Sequence, residues 1–232
     1  MLSVSVPGGG SYEAYVRGAE GAGRPALLIF TPIFGIDEDL RAIADEWAGH
    51  GYLVGVPDYF FRVRPGPLGR SEEGRKEAFA RWEKLDVDRA VEDMRPLVAR
   101  LLGAKSCNGR LGALGFCAGG ELAFLAATRL GAQAVAAFHA TRIDRHLSEA
   151  GNVRGALSLH YGDSDPLVPM TEVGRVQECF KDDARVEIGV YPGAAHGFSF
   201  RGRPSYHEAA ATQSQARAMK MLSRLKSAVH TT

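Results

Sequence analysis

The stretch Leu111–Glu121 reads LGALGFCAGGE, and the glycines around Cys117 decide the fold. An apolar run ends at Phe116, and the segment Gly115-Phe116-Cys117-Ala118-Gly119 has the pattern of a nucleophile elbow with cysteine in place of serine. In such an elbow, glycines two residues before and two after the nucleophile allow a strand and a helix to approach closely around a strained turn. We therefore expect Cys117 to project from the edge of a sheet at the N-terminus of a helix.

Short apolar runs on both sides of this turn alternate with helical patterns. The predicted strands are Ala26–Phe30, Tyr52–Val56, Arg110–Phe116, Val135–His139, Ala156–Tyr161 and Val186–Tyr191. The predicted helices are Leu40–Gly49, Ser71–Leu102, Gly119–Leu130, Met170–Phe180 and Tyr206–Val229. This alternation predicts an α/β fold with a mostly parallel central sheet and helices on both faces. Val4–Val6 and Tyr12–Val16, separated by a glycine-rich turn, predict an antiparallel hairpin at the edge of the sheet.

The composition excludes several classes of protein and suggests a compartment. The 232 residues suit a single α/β domain, and 28 Lys and Arg against 27 Asp and Glu argue against broad binding to nucleic acid or an anionic membrane. Three cysteines without a CxxC pair argue against a disulfide framework and against a cysteine-bound metal. The N-terminus lacks a signal-peptide pattern, and there is no apolar run of membrane-spanning length. We expect a cytoplasmic protein without a cofactor.

An acid and a base follow the elbow in the order that nucleophile elbows require. Asp163 and Asp165 come directly after the strand that ends at Tyr161, and His196 follows the last strand among small residues. An aspartate directly after a glycine most often closes a turn, which favours Asp165 over Asp163 as the acid. For the base, His139 and His160 are the rivals of His196. Both lie at strand ends, where we expect core or edge histidines.

These residues together predict covalent catalysis at a carbonyl carbon. His196 would take the proton of Cys117 or hold it in an ion pair, and Asp165 would fix the orientation of the imidazole. The N–H of Ala118 at the start of the helix would stabilise the oxyanion, and attack would give a thioester. A buried structural cysteine is the alternative interpretation of Cys117, since cysteine is among the most buried residue types. Cys107 and Cys179 lie on no such turn, and we expect no function from them.

The sequence resembles the dienelactone hydrolases in several segments distributed along the chain. These are Pro32-Ile33-Phe34-Gly35, Pro57-Asp58-Tyr59-Phe60, Gly115-Phe116-Cys117-Ala118-Gly119-Gly120, Gly162-Asp163-Ser164-Asp165 and Ala195-His196-Gly197-Phe198. The resemblance covers about residues 12–225. It implies an α/β-hydrolase fold and a Cys-His-Asp triad that hydrolyses esters or lactones.

Further site residues are implied by the same resemblance. Ile33 would supply a second oxyanion-hole N–H, and Arg75 would bind a substrate carboxylate. Three aromatic residues would line the substrate site: Phe79, Trp82 and Phe198. Without the resemblance, Arg75 is a solvated cation and Trp82 is a packed core aromatic.

The chain departs from the family pattern at three positions. The family often has a glutamate that helps to activate the nucleophile where this sequence has Pro32. Phe79 replaces a tyrosine, and Phe200 stands where the family has a second carboxylate-binding arginine, with Arg201 and Arg203 close by. These changes leave the triad residues in place and weaken the case for dienelactone itself as the substrate.

The leading hypothesis is therefore a hydrolase of small carboxylic esters or lactones, acting as a monomer or small homo-oligomer. Two alternatives remain. One is a thioesterase or acyltransferase, which would share the thioester intermediate. The other is an α/β-hydrolase-fold protein that binds ligands without catalysis, an option that the loss of the glutamate motivates.

Overall fold

The apolar run before Cys117 forms a strand within an eight-stranded sheet in the computed structural model, which describes residues 1–226. The strands are β1 (Leu2–Ser5), β2 (Ser11–Arg17), β3 (Arg24–Phe30), β4 (Leu53–Pro57), β5 (Cys107–Phe116), β6 (Ala134–Phe138), β7 (Ala156–Gly162) and β8 (Val186–Tyr191). Their order is β1-β2-β4-β3-β5-β6-β7-β8, and the pairs from β4 to β8 are all parallel. The predicted mostly parallel sheet is confirmed.

Helices cover both faces of this sheet, as predicted. They are α1 (Glu38–Gly49), α2 (Glu72–Glu83), α3 (Val87–Glu92), α4 (Arg95–Leu102), α5 (Ala118–Arg129), α6 (Met170–Phe180) and α7 (Glu208–Ser223). Successive side chains of a strand point to opposite faces, so Leu27 and Leu28 of β3 belong to different buried clusters. Leu27 packs in the cluster that contains α1 and α7, whereas Leu28 packs in the cluster that contains α4 and α5.

The N-terminal hairpin also forms, and its partner in the sheet is β4. Leu2 of β1 pairs with Ala14 of β2 in an antiparallel ladder, and Ala14 pairs with Pro57 of β4. The hairpin therefore forms one edge of the sheet. In residues 1–226 there is no helix long and apolar enough to cross a membrane.

The prediction of one helix over Ser71–Leu102 was wrong, because two further helices start within the segment. Asp86 caps α3 by accepting a hydrogen bond from the Arg89 N–H at 3.0 Å. Pro96 lies in the first turn of α4, where a residue without an N–H costs nothing. Three short helices therefore replace one long helix.

Three other boundaries differ from the prediction. His139 lies just beyond β6 rather than at its end. A 3-10 helix over Ile143–Asn152, which the sequence pattern did not indicate, follows it. The predicted helix Tyr206–Val229 begins at Glu208 and ends at Ser223, and its last predicted residues, 227–229, lie outside the described residues.

Glycines at the junction of β5 and α5 allow the strand, the helix and β3 to lie in direct contact. A Cβ atom on Gly115 would lie 2.3 Å from the Gly119 carbonyl oxygen. One on Gly119 would lie 2.3 Å from the Phe30 carbonyl oxygen. Both distances are shorter than a van der Waals contact, so the backbone approach requires glycine.

We predict that Gly119→Ala lowers the free energy of unfolding by about 1–3 kcal/mol, because the new methyl group would push β3 away from α5. The matched control is Gly174→Ala within α6, where an added Cβ meets nothing within 4 Å. That substitution should raise the free energy of unfolding by about 0.5–1 kcal/mol, since alanine is the better helix former. Urea denaturation of both variants measures the two effects, and equal effects would contradict the close-packing argument.

Candidate active site

Cys117 occupies a strained backbone conformation at the N-terminus of α5. Its φ of 55° lies in the left-handed region, which residues with a side chain seldom adopt. Backbone hydrogen bonds on both sides hold the turn: the Cys117 N–H donates to the Phe138 carbonyl at 3.1 Å, and the Cys117 carbonyl accepts from Thr141 N–H at 3.2 Å. The end of β6 and the loop after it therefore fix the turn that presents the thiol.

Asp165 and His196 are brought together at the same edge of the sheet. His196 Nδ1 lies 2.8 Å from Asp165 Oδ2, and the other carboxylate oxygen accepts hydrogen bonds from the N–H groups of Leu167 and Val168. Because the Asp165 side chain is fully buried, its carboxylate is held in one orientation. Asp163 instead accepts a hydrogen bond from Gly193 N–H at 2.7 Å, which fixes the turn before the histidine.

Cys117 and Asp165 together control the charge of His196. Burial lowers the pKa of His196, but the Cys117 sulfur and the Asp165 carboxylate raise it more strongly, to about 10. His196 Nε2 is buried and makes no hydrogen bond within residues 1–226, and the Cys117 sulfur acts on the ring through its charge. The arrangement favours a protonated His196 beside the Cys117 side chain.

Two backbone N–H groups are available beside the thiol. Ala118 is the first residue of α5, where N–H groups have no partner within the helix. Ile33 lies in the loop after β3, and its N–H donates no hydrogen bond to the described part of the chain. Both N–H groups are free to donate to a substrate oxygen.

Arg81 holds the Ile33 loop in place, which sequence reasoning did not anticipate. Its side chain is 2% exposed, and its Nε and Nη2 atoms donate to the Ile33 carbonyl at 2.8 and 2.5 Å. Its Nη1 atom donates to the carbonyls of Arg64 and Gly66. The helical spacing from the buried Ala78 places Arg81 on the inner face of α2, and this spacing was the available signal.

His139 was expected to be a core or edge histidine, and it is buried against His196. The two ring centroids are 4.7 Å apart, and His139 Nε2 lies 3.1 Å from Ser199 Oγ. Burial lowers the pKa of His139 well below its usual value, so this ring stays neutral beside the charged His196. His160 lies away from this contact, between Ser158 and Tyr191.

The residues expected to bind substrate occupy different environments. Arg75 is exposed on α2, and its Nε donates to the Arg70 carbonyl. Phe79 and Trp82 lie on the same helix with ring centroids 6.1 Å apart, and Phe79 is exposed. Phe198 is fully buried and packs against His139, so it has no surface free to contact a substrate.

The remaining sequence candidates have other contacts. Arg203 pairs with Asp39 and stacks on Phe200, so it is committed to the surface of α1. Cys179 is exposed and Cys107 is half-buried, and neither lies on a strained turn. In residues 1–226 there is no group of three or more histidine, cysteine or carboxylate residues arranged to hold a metal ion.

An apolar groove of about 250 Å³ lies on the α1 and α7 side of the sheet, away from the thiol. It is lined by Trp47, Phe116 and Phe200 among others and includes none of the three residues Cys117, Asp165 and His196. Its lining includes the polar residues Asp39, Glu46 and Ser199, but its volume alone does not make it the site of chemistry, because the Cys117 elbow lies outside it.

Comparison with known proteins identifies the family. The family model for the dienelactone hydrolase family matches residues 12–226. The chain is 30% identical over 227 residues to a protein of Azospirillum brasilense named "Putative carboxymethylenebutenolidase", covering 94% of this chain and 96% of the relative. It is 25% identical over 228 residues to the carboxymethylenebutenolidase of Pseudomonas putida, with 97% of each chain covered.

The fold is similar to that of a solved structure from Klebsiella pneumoniae subsp. pneumoniae described as a "Putative Dienelactone Hydrolase". The TM-score is 0.81 at 23% identity, with 96% of this chain and 98% of the other covered. This likeness confirms the α/β-hydrolase fold. The chain belongs to the dienelactone hydrolase family and is a carboxylic ester hydrolase.

Proposed function

We propose that this protein hydrolyses small carboxylic esters or lactones through a thioester on Cys117, with His196 as the base and Asp165 orienting it. The observation that carries the proposal is the pairing of Asp165 with His196 at 2.8 Å beside a cysteine in a strained elbow. Three groups held at one sheet edge, in the chain order nucleophile, acid and base, match the requirements of covalent acyl transfer.

The first chemical step is attack of the Cys117 sulfur on the substrate carbonyl carbon. A bond forms between sulfur and carbon, and the carbonyl electron pair moves to oxygen, where the N–H groups of Ile33 and Ala118 can donate. Collapse of this intermediate breaks the bond to the leaving oxygen, which takes a proton from the His196 imidazolium. In a lactone, the leaving oxygen remains attached to the acyl group.

The second step is hydrolysis of the thioester. His196, neutral after giving up its proton, removes a proton from water, and the resulting hydroxide attacks the carbonyl carbon. The sulfur leaves as a thiolate and restores the ion pair with His196. The thiolate can form without an acid at position 32, because Cys117 and Asp165 already favour the protonated state of His196.

The relatives named carboxymethylenebutenolidase suggest the substrate class. An enol-lactone or an activated ester suits a thiol nucleophile, because a thioester forms readily from a good leaving group. A cytoplasmic setting would keep the Cys117 thiol reduced, and we extend the proposal to that compartment. No observation favours transfer to an acceptor other than water.

We predict that Cys117→Ala and His196→Ala each lower kcat/KM for aryl esters and enol-lactones by about 1000-fold or more, since members of a triad act as a unit. Cys179→Ala, which removes an exposed thiol on α6, is the matched control and should leave kcat/KM unchanged. Product analysis in the presence of added thiols or alcohols distinguishes hydrolysis, which gives the free acid, from acyl transfer, which gives a new ester or thioester. Turnover that survives the loss of Cys117 would contradict the proposal.

We predict that iodoacetamide alkylates Cys117 at a nearly constant rate between about pH 6 and pH 9. The raised pKa of His196, about 10, keeps the imidazolium charged throughout this range, and in the proposed mechanism this charge holds Cys117 as the thiolate. An ordinary thiol has a pKa of about 8.5. Below that pH its alkylation rate would instead increase about tenfold for each unit by which the pH is raised. The measurement uses a Cys107→Ser, Cys179→Ser background, in which Cys117 is the remaining thiol.

His196→Gln removes the imidazolium from that background. At about pH 6 we expect alkylation of Cys117 to slow about 100-fold, because only a small fraction of an unassisted thiol is ionised there. A variant that reacts as fast as its parent would rule out the ion pair.

A further inference from the structure

The side chain of Arg142, which directly follows the residue hydrogen-bonded to the Cys117 turn, has no polar partner among the described residues. In residues 1–226 its guanidinium makes no hydrogen bond within 3.5 Å and no ion pair within 4.0 Å, although it is partly buried. The Arg142 guanidinium carbon lies 3.7 Å from the centre of the Trp82 ring. A flat stack on tryptophan holds a guanidinium in place and leaves its N–H edge free to donate.

The backbone at Arg142 ties this side chain to the nucleophile turn. Thr141, the preceding residue, donates its N–H to the Cys117 carbonyl at 3.2 Å. Arg142 itself has a φ of 63°, in the left-handed region that glycine would occupy more easily. A bulky cation kept in a strained conformation points to a use for that cation.

The carboxylate that acts most strongly on the pKa of Arg142, that of Glu121, forms no ion pair with it. Glu121 is 4% exposed in the first turn of α5, and its Oε1 atom lies 2.8 Å from His146 Nε2. Burial lowers the pKa of Arg142, while Glu121 and Cys117 act in the opposite direction, so both groups lie within electrostatic range of the guanidinium. The guanidinium remains protonated at neutral pH.

The other arginines considered for substrate binding are less suited to this role. Arg75 is exposed and donates to the Arg70 carbonyl, and Arg203 is paired with Asp39. Arg81 is fully engaged by backbone carbonyls. Arg142 combines partial burial, a fixed orientation and unused donors within electrostatic range of the nucleophile.

We propose that Arg142, held against Trp82, selects substrates that carry an anionic group, most directly a carboxylate, near the scissile ester or lactone bond. The planar guanidinium suits bidentate donation to a carboxylate. This inference rests on the proposed hydrolysis at Cys117 and names a specificity-determining residue for it. An anionic substrate would supply the ion-pair partner that Arg142 lacks.

The test compares two pairs of esters that differ in charge but little in shape. In the first pair the charge is on the acyl group, as in mono-4-nitrophenyl adipate and the matching adipamate. In the second pair the charge is on the leaving group, as in 4-carboxyphenyl acetate and 4-carbamoylphenyl acetate. We expect wild type to prefer the anionic member of at least one pair, measured as a ratio of kcat/KM values.

Arg142→Met and Arg142→Gly should each lower that preference by about 10- to 100-fold, which is the usual worth of a hydrogen-bonded charge pair. Arg142→Lys should retain part of it, because the charge remains but the planar stack is lost. Glycine adopts the left-handed conformation of residue 142 without strain, so Arg142→Gly keeps the test valid if the methionine variant folds poorly. Arg154→Met matches the change in net charge and should leave the preference unchanged, because this exposed residue precedes the N-terminal end of β7, at the sheet edge opposite the Cys117 elbow.

The outcomes distinguish this inference from the proposed function. If wild type has no preference in either pair, or if the Arg142 variants keep it, Arg142 does not select anions although hydrolysis at Cys117 stands. If the variants lose activity equally on charged and neutral esters, Arg142 acts on the thiolate and the inference is wrong. If wild type hydrolyses none of the esters, the proposed function fails and the inference fails with it.

Discussion

The close contact of β3, β5 and α5 at the Cys117 turn is the constraint on which the rest of the site depends. The backbone leaves no room for a Cβ atom at Gly115 or Gly119, so only glycine at these positions allows the close contact, and Cys117 between them has a φ of 55°. The strained turn is held by hydrogen bonds to Phe138 and Thr141, which come from the neighbouring strand and its following loop. Backbone packing therefore provides the rigidity that positions the thiol.

Around this turn, burial and neighbouring charges set the protonation states of two histidines, His196 and His139. The carboxylate of the fully buried Asp165 accepts hydrogen bonds from two backbone N–H groups and contacts His196. The raised pKa of His196 keeps this ring protonated beside Cys117. His139 is buried against the same ring and remains neutral, so it adds packing without adding a second positive charge. In the proposed mechanism this arrangement replaces the glutamate that the family resemblance leads us to expect at the position of Pro32.

The parts of the fold and site that the sequence could predict are those encoded locally. Short patterns reveal the elbow glycines, the buried strand Ala26–Phe30 and the chain order of Cys117, Asp165 and His196. These last three residues each follow a parallel strand, at the same edge of the sheet. The division of Ser71–Leu102 was missed because helical residues continue through the Asp86 cap. The roles of Arg81, His139 and Arg142 depend on contacts between distant segments, which no short pattern records.

The measurement that tests the account most directly is identification of the acylated residue. The protein is mixed with excess 4-nitrophenyl acetate, quenched in acid during turnover, and digested for mass spectrometry of its peptides. If Cys117 is the nucleophile, it carries an acetyl group as an acid-stable thioester, which is absent when the quench follows exhaustion of the ester. Continued turnover with Cys117 unmodified at every time, or acetylation of a different residue at the rate of turnover, would contradict this role of Cys117.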